Sequence, residues 1–235
     1  MNPLLAPGTD HAKEPYLIYN LLFPSNTARR SCDPPSRSWA SGRLAPATWP
    51  RVSQLRIVSH EFPWVFEIEA RREERGVTCL DVVEGLYEQL QDIVPRSQIE
   101  GLSGSKGETH RRRLYEAYYY NRSTARDAPG GSLGEGVRRV DWLLDHVMFD
   151  GLVNDQKYVQ EKLGITGPGW KGLQKKNKPD KDKDKDKDGD KETPKKLQSW
   201  PATLVLKLDM RYGDPEADRA STVTDATDQE ASETS

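Results

Sequence analysis

The sequence predicts an α+β fold: a mixed or antiparallel sheet of three to five strands, two or three helices on one face, and disordered tails. Three observations carry this. Trp64, Phe66, Ile68 and Ala70 alternate with Val65, Glu67 and Glu69, and far downstream Leu204, Leu206, Leu208 and Met210 alternate with Val205, Lys207, Asp209 and Arg211, the period of a half-buried strand. Between them, Val82, Val83, Leu86, Leu90 and Ile93 repeat at helical spacing. Strand patterns thus stand at both ends with helices between, without the regular β-α-β alternation of a doubly wound parallel sheet.

Taken in chain order, Tyr16–Phe23, set between Pro15 and Pro24, reads as a short strand, and residues 25–50 as a surface loop rich in Ser, Thr and Pro. Leu55–Ser59 opens an extended stretch that Pro63 interrupts, and the alternating segment follows. Thr78, with Asp81 three residues on, forms a short-armed capping box, and Val77 and Val82 take the staple positions around it. The helix they open should run from about Cys79 to Val94 and stop at Pro95, with Glu84, Glu88 and Asp92 on another face. His110–Asn121 predicts a second helix with Leu114, Ala117, Tyr118 and Asn121 aligned, although its early arginines oppose the helix dipole. Residues 127–136 are a Gly-rich loop, Arg139–Leu152 a short helix running into a strand, and Leu204–Met210 the last strand.

Composition places the remainder. Of 235 residues, 34% are hydrophobic and 31% charged, with a mean hydropathy of −0.83, too polar for a chain that is ordered throughout. Residues 175–196 hold ten Lys and seven Asp or Glu, a local charge of +3 with no apolar side chain to bury; residues 213–235 hold seven acids and one Arg, or −6. The expected organisation is a flexible start over 1–13, one α+β domain over 14–170, a disordered Lys/Asp-rich insertion over 171–198, the domain's final strand within 199–212, and a disordered acidic tail over 213–235. No apolar run approaches a membrane span, and the N-terminal stretch has no basic lead-in to an apolar core. The expected location is therefore the cytoplasm, or the nucleus given the weak import pattern Lys175-Lys176-Asn177-Lys178, with Cys32 and Cys79 reduced.

Several chemical motifs are present in letters alone. Gly130-Gly131-Ser132-Leu133-Gly134 spells the nucleophile elbow, but no strand precedes it. Asp184, Asp186, Asp188 and Gly189 open an EF-hand pattern whose bidentate Glu position is Lys195. Gly101–Gly107 fails the spacing of a phosphate loop, and Asn121-Arg122-Ser123 is a glycosylation sequon of no use without secretion. Two cysteines and the scattered His11, His60, His110 and His146 make no zinc set, and no cofactor or metal is expected.

Two groups of residues remain as candidates. Asp141, His146 and Asp150 are close enough in sequence for an acid/base constellation, although Asp141 beside Arg138 and Arg139 fits a structural ion pair better. The arginines fall into three groups (Arg71, Arg72 and Arg75; Arg111, Arg112 and Arg113; Arg138 and Arg139). With Tyr115, Tyr118, Tyr119 and Tyr120 they offer a basic, aromatic surface for RNA, weakened by the interleaved Glu67, Glu69, Glu73 and Glu74.

Five blocks in order carry a resemblance: Pro15–Leu21; Pro63-Trp64 with Val65–Ile68; Val77-Thr78-x-x-Asp81-Val82-Val83 with Leu86-Tyr87-x-x-Leu90; Arg139–Leu144 with Phe149-x-Gly151-Leu152; and Thr203–Leu208. Together they resemble a family of uncharacterised domains of unknown function from mushroom-forming (basidiomycete) fungi. The resemblance implies a compact α+β domain and assigns no activity or catalytic residues. Asn20 stands where the family often has Asp, and Val147-Met148 where it often has a polar–basic pair. The function expected is a non-catalytic module that binds a protein partner, with no role at membranes. The alternatives are an enzyme built around Asp141, His146 and Asp150, and an RNA-binding module.

Overall fold

The computed structural model describes residues 1–8, 16–34, 36–164 and 202–210. The readings made for His11, the Lys/Asp-rich segment, its EF-hand and nuclear-import patterns, and the acidic segment 213–235 lie outside the described residues.

The fold is α+β. A four-stranded mixed sheet has the order β4-β3-β6-β5, built from β3 (Gln54–Ser59), β4 (Phe66–Glu69), β5 (Met148–Val153) and β6 (Ala202–Asp209). β4 pairs antiparallel with β3, β3 parallel with β6, and β6 antiparallel with β5. The last strand thus lies in the middle of the sheet. The Tyr16–Phe23 segment is strand-like over a shorter length than expected: β1 (Leu17–Ile18) pairs with β2 (Arg29–Arg30), and Asn20 then bridges Met148 at the margin of β5.

Strand alternation sets two unequal faces. Leu55 and Ile57 of β3, Phe66 and Ile68 of β4, and Leu204 and Leu206 of β6 point into the main core with Val82, Val83, Leu86 and Leu90 of α1 (Cys79–Leu90). Ile99 of α2 (Arg96–Glu100) and Leu114 of α3 (Gly104–Asn121) join the same core. Val58 and Val205 point the other way, onto Val159 of α4 (Gln156–Lys162). The expected helices on one face are therefore α1 to α3. The additional helix α4 buries one side chain, too thin a pattern to show as periodicity.

The N-terminus of α1 is built as its letters require. Asp81 N donates to Thr78 Oγ1 (3.2 Å), and Thr78 N donates to Asp81 Oδ2 (2.8 Å). The helix ends at Leu90, four residues before the expected stop. Asp92–Val94 form backbone pairs with residues 137–139 instead: Val94 N donates to Val137 O (2.8 Å) and Arg139 N to Asp92 O (2.9 Å). Ile93, placed on the core stripe by spacing, is consequently 60% exposed.

Residues 1–8 make contacts with the rest of the domain. Asn2 caps a 3-10 turn (Pro3–Leu5), its Nδ2 donates to Pro46 O (3.0 Å), and Leu5 is fully buried. The turn rests on a β-bulge in β5, where Gly151 has φ +92° and an added Cβ would lie 2.4 Å from Pro7 N. Only glycine fits both demands.

Candidate interaction face on helix α3

Asp141 is fully buried at the start of a 3-10 turn (Asp141–Leu143) and accepts from three directions. Asn121 Nδ2 (2.9 Å) and Arg122 Nη1 (3.0 Å) reach Oδ1, and the backbone N of Arg138 reaches Oδ2 (2.8 Å). Arg122 also donates to Gly134 O (2.7 Å), Gly136 O (2.8 Å) and Tyr118 O (3.1 Å), with its guanidinium 3.9 Å from the Tyr118 ring centroid. The ion pair expected for Asp141 is thus present, with Arg122 as its partner and not the adjacent Arg138 or Arg139. The aspartate clasps the C-terminus of α3 to the loop before β5. It holds the amide of the sequon residue Asn121 inside the protein.

The other two members of the acid/base trio stand apart from it. His146 Nδ1 lies 3.7 Å from Glu61 Oε2. Asp150, on β5, has its pKa raised by burial and by the neighbouring Asp209 carboxylate, against the opposing pull of Lys207. No hydrogen bond or ion pair joins any two of Asp141, His146 and Asp150. Ser132 of the elbow-like pentapeptide sits in an exposed 3-10 turn and donates to Pro129 O (2.8 Å). Burial pushes the Cys79 thiol up to about 12, which keeps it protonated at neutral pH. Among the described residues no group of three or more His, Cys, Asp or Glu side chains is placed to hold a metal ion.

The three arginine groups do not merge into one surface. Arg71 spans the acidic side of α1, paired with Glu84 and with Glu88 (3.5 Å). Arg138 and Arg139 turn inward: Arg138 donates to Leu133 O (2.6 Å), and Arg139 pairs with Asp92 (2.8 Å) under the Trp64 ring (5.1 Å to its centroid). Arg72 and Arg75, in the turn after β4, and Arg112 and Arg113, on α3, are exposed, but on separate elements.

Of the four α-helices among the described residues, α3 buries the smallest share of its side chains. It begins six residues before the predicted start. Ser103 stands at its N-cap and Gly107 in its second turn lies so close to the Leu102 backbone that an added Cβ would be 2.7 Å from a carbonyl carbon. Glycine at 104 and 107 hid this start, since both lower helix propensity. Of 18 residues only Leu114 and Asn121 are buried, whereas Tyr119 is 70% exposed and Tyr115 and Tyr120 are also open to solvent. Arg111 pairs with Glu108 (3.8 Å), Arg112 with Glu116 (3.7 Å) and Arg113 with Asp145 (3.1 Å), while Lys106 has no acidic partner among the described residues.

Along one flank of α3 two shallow depressions meet at Arg113. One is lined by Ser105, Lys106, Thr109 and His110, the other by Glu116, Ala117 and Tyr120, with Leu144 and Asp145 as the facing wall. His110 tilts against the Trp142 ring (4.8 Å between centroids), and burial followed by the nearby Arg113 charge lowers its pKa, so it is neutral at pH 7. The wall is conformationally strained: Leu144, at φ +56° and ψ −114°, is the one non-glycine residue with positive φ among the described residues. Sequence reasoning found the arginines and tyrosines of this trough but not Lys106, Thr109 or the Leu144–Asp145 wall. The pairings of Glu108 with Arg111 and Arg112 with Glu116, at helical spacing, were the available signal.

Fold and surface together define an α+β domain that carries one outward helix of arginine and tyrosine, held in place by a buried aspartate clasp. Residues 17–162 match the family of unknown function DUF6699, and the chain belongs to that family. The described residues of the blocks that carry the sequence resemblance lie on β1, β4, the α1 cap and helix, the Asp141 clasp, the β5 bulge and β6. No curated protein and no solved structure matches the chain.

Proposed function

We propose that the domain is a non-catalytic protein-interaction module, of the fungal branch its block pattern suggests and working in the cytoplasm or nucleus, and that α3 is its binding face. The observation that carries this reading is the exposure of the longest helix: 18 residues with two buried, offering tyrosine and arginine to solvent. These residue types are enriched at protein interfaces and dominate their binding energy, because each combines a large rigid contact area with a polar handle. The same basic, aromatic composition would suit single-stranded RNA. Here each of Arg111, Arg112 and Arg113 is already matched by an acid, which removes the charge excess that tracking a phosphate backbone requires.

The test uses the full chain as bait, with and without the pair Arg112→Glu and Tyr119→Ala. Both side chains are exposed, so the thermal midpoint should not move. At least one protein captured by the wild type should fall about tenfold or more with the pair, the effect of losing one interface anchor. Identical captures from the two baits would overturn the reading, and capture abolished by ribonuclease would replace the protein partner with RNA.

A further inference from the structure

We propose that the loop tip at Trp49, with the arginines around it, is a second docking surface. It takes a protein partner that presents an indole-sized apolar pocket rimmed by Asp and Glu side chains. The inference does not rest on α3. The tip stands at the start of α1, whereas the Asp141 clasp that holds α3 adjoins the last residue of α1, where Val140 N donates to Leu90 O (2.9 Å).

The chain from Arg43 to Val52 is folded over the start of α1. Leu80 N donates to Arg43 O (2.8 Å), Cys79 N to Ala45 O (3.0 Å), Ala47 N to Val77 O (2.8 Å) and Val77 N to Val52 O (2.8 Å). Residues 48–51 lie between the last two of these bonds and project as a tip. The turn over residues 72–76 is seated against it. Arg51 Nη1 donates to Glu74 O (3.3 Å), and a Cβ added to Gly76 (φ +67°) would lie 2.8 Å from Val52 O. On this tied base Trp49 is 81% exposed, while Trp39 and Trp142 are buried and Trp64 is half-buried. Single exposed apolar side chains are ordinary on a protein surface, but a tryptophan is rarely left so open. Leu44, on the same loop, is also exposed.

The charge around the indole is unbalanced. Residues 43–52 and 72–76 carry four arginines and two glutamates, a net +2. Among the described residues no carboxylate forms an ion pair with Arg43, Arg51, Arg72 or Arg75. The acids and bases that crowd them in sequence are engaged elsewhere: Arg71 with Glu84 and Glu88, and Glu67 with Arg56 of β3 (2.8 Å). Tryptophan and arginine are the side chains that most often anchor protein interfaces. A projecting ring requires a concave counterpart, and a positive surround selects an acidic rim for it. Single-stranded RNA fits less well, because it stacks successive bases on successive rings. Trp49 is the one aromatic residue in 43–52 and 71–80.

A full-length chain with a diazirine analogue of tryptophan at position 49, photolysed in an extract of the native cells, tests this. Position 49 should link to a protein, through a segment with more Asp and Glu than Lys and Arg. The yield should fall severalfold between about 50 and about 300 mM salt. Retention of the linked protein on the unmodified full chain should drop about tenfold or more with Trp49→Ala. It should drop likewise with the pair Arg72→Glu and Arg75→Glu, which turns the local charge from +2 to −2. All three side chains are exposed, so the thermal midpoint should stay where it is. A link to nucleic acid, a link through a segment without the acid excess, or equal retention by the wild type and both variants would overturn the proposal. If that happens while the Arg112→Glu and Tyr119→Ala pair loses its partner, α3 stands as the binding face and only the second surface falls. Loss with Trp49→Ala but not with the α3 pair would support the second surface and strike the first.

Discussion

Helices α1 and α3 belong to the same core yet are held by different physics. Six of the twelve residues of α1 are buried, and its apolar stripe lies on Leu55, Ile57, Phe66 and Ile68. α3 is half as long again and buries two, one of them the polar Asn121. What fixes α3 is the charge-assisted set around Asp141 at one end and the close seat of Gly107 on Leu102 at the other. A helix tied by a polar clasp at one end and a close backbone seat at the other can leave most of its circumference free. In this domain α1 stabilises the body and α3 is the part available for contact.

The largest expected effect strikes the clasp. Asp141→Ala leaves Arg122 partly buried without its counter-charge and strips acceptors from Asn121 and the Arg138 amide, which should cost about 3–5 kcal/mol in denaturant unfolding. A loss under about 1 kcal/mol would mean that α3 is held by apolar contacts after all. Next comes Leu86→Ala, at about 2–5 kcal/mol, because Leu86 is fully buried on the sheet-facing stripe. If Leu86→Ala proved milder than an exposed change such as Tyr119→Ala, the division between the helices would be reversed.

Smaller effects sharpen the same contrast. Thr78→Ala removes one half of the α1 capping box and should cost about 1 kcal/mol. Gln89, on the same helix, donates its Nε2 to Glu67 O (2.9 Å) and accepts from Glu67 N (3.4 Å), so its amide occupies the open edge of β4. Gln89→Ala should leave the thermal midpoint almost unchanged but raise the tendency to self-associate, since it exposes unpaired backbone on an edge strand. Sedimentation across a concentration series would show this, and a strictly monomeric variant would show that the side chain does not guard the edge.

The elements legible from sequence are those whose stability is apolar and local. The α1 stripe, its Thr78–Asp81 cap, and the alternation of β4 and β6 are readable because burial imposes a period on the letters. The end of α1 was not readable. Ile93 keeps helical spacing, but backbone pairing with residues 137–139 offers its neighbours better hydrogen bonds than another helical turn. The site was legible in composition and illegible in geometry. Arg111–Arg113 and the tyrosines stand out in the sequence, whereas the partner of Asp141 is 19 residues away at Arg122, and proximity in sequence pointed to Arg138 and Arg139. Side-chain ion pairs between loops leave no periodic trace, so sequence spacing misassigns them.

The smallest effect concerns Asp150, beside the bulge in β5 and away from both helices. Burial and the Asp209 carboxylate raise its pKa in the folded protein above the unfolded value of about 4. Its contribution to stability is therefore fully present below pH 4 and is lost as the pH rises through the folded-state value, leaving a penalised carboxylate at neutral pH. Asp150→Asn removes that penalty, so the variant should melt slightly above the wild type at pH 7, with the advantage shrinking toward zero near pH 3.5. Half-exposure and the facing Lys207 keep the difference small. A variant less stable than the wild type at pH 7 would show that the carboxylate makes a favourable contact there, most directly with Lys207. The acid/base role considered for Asp150 would then be weighed against an ion pair.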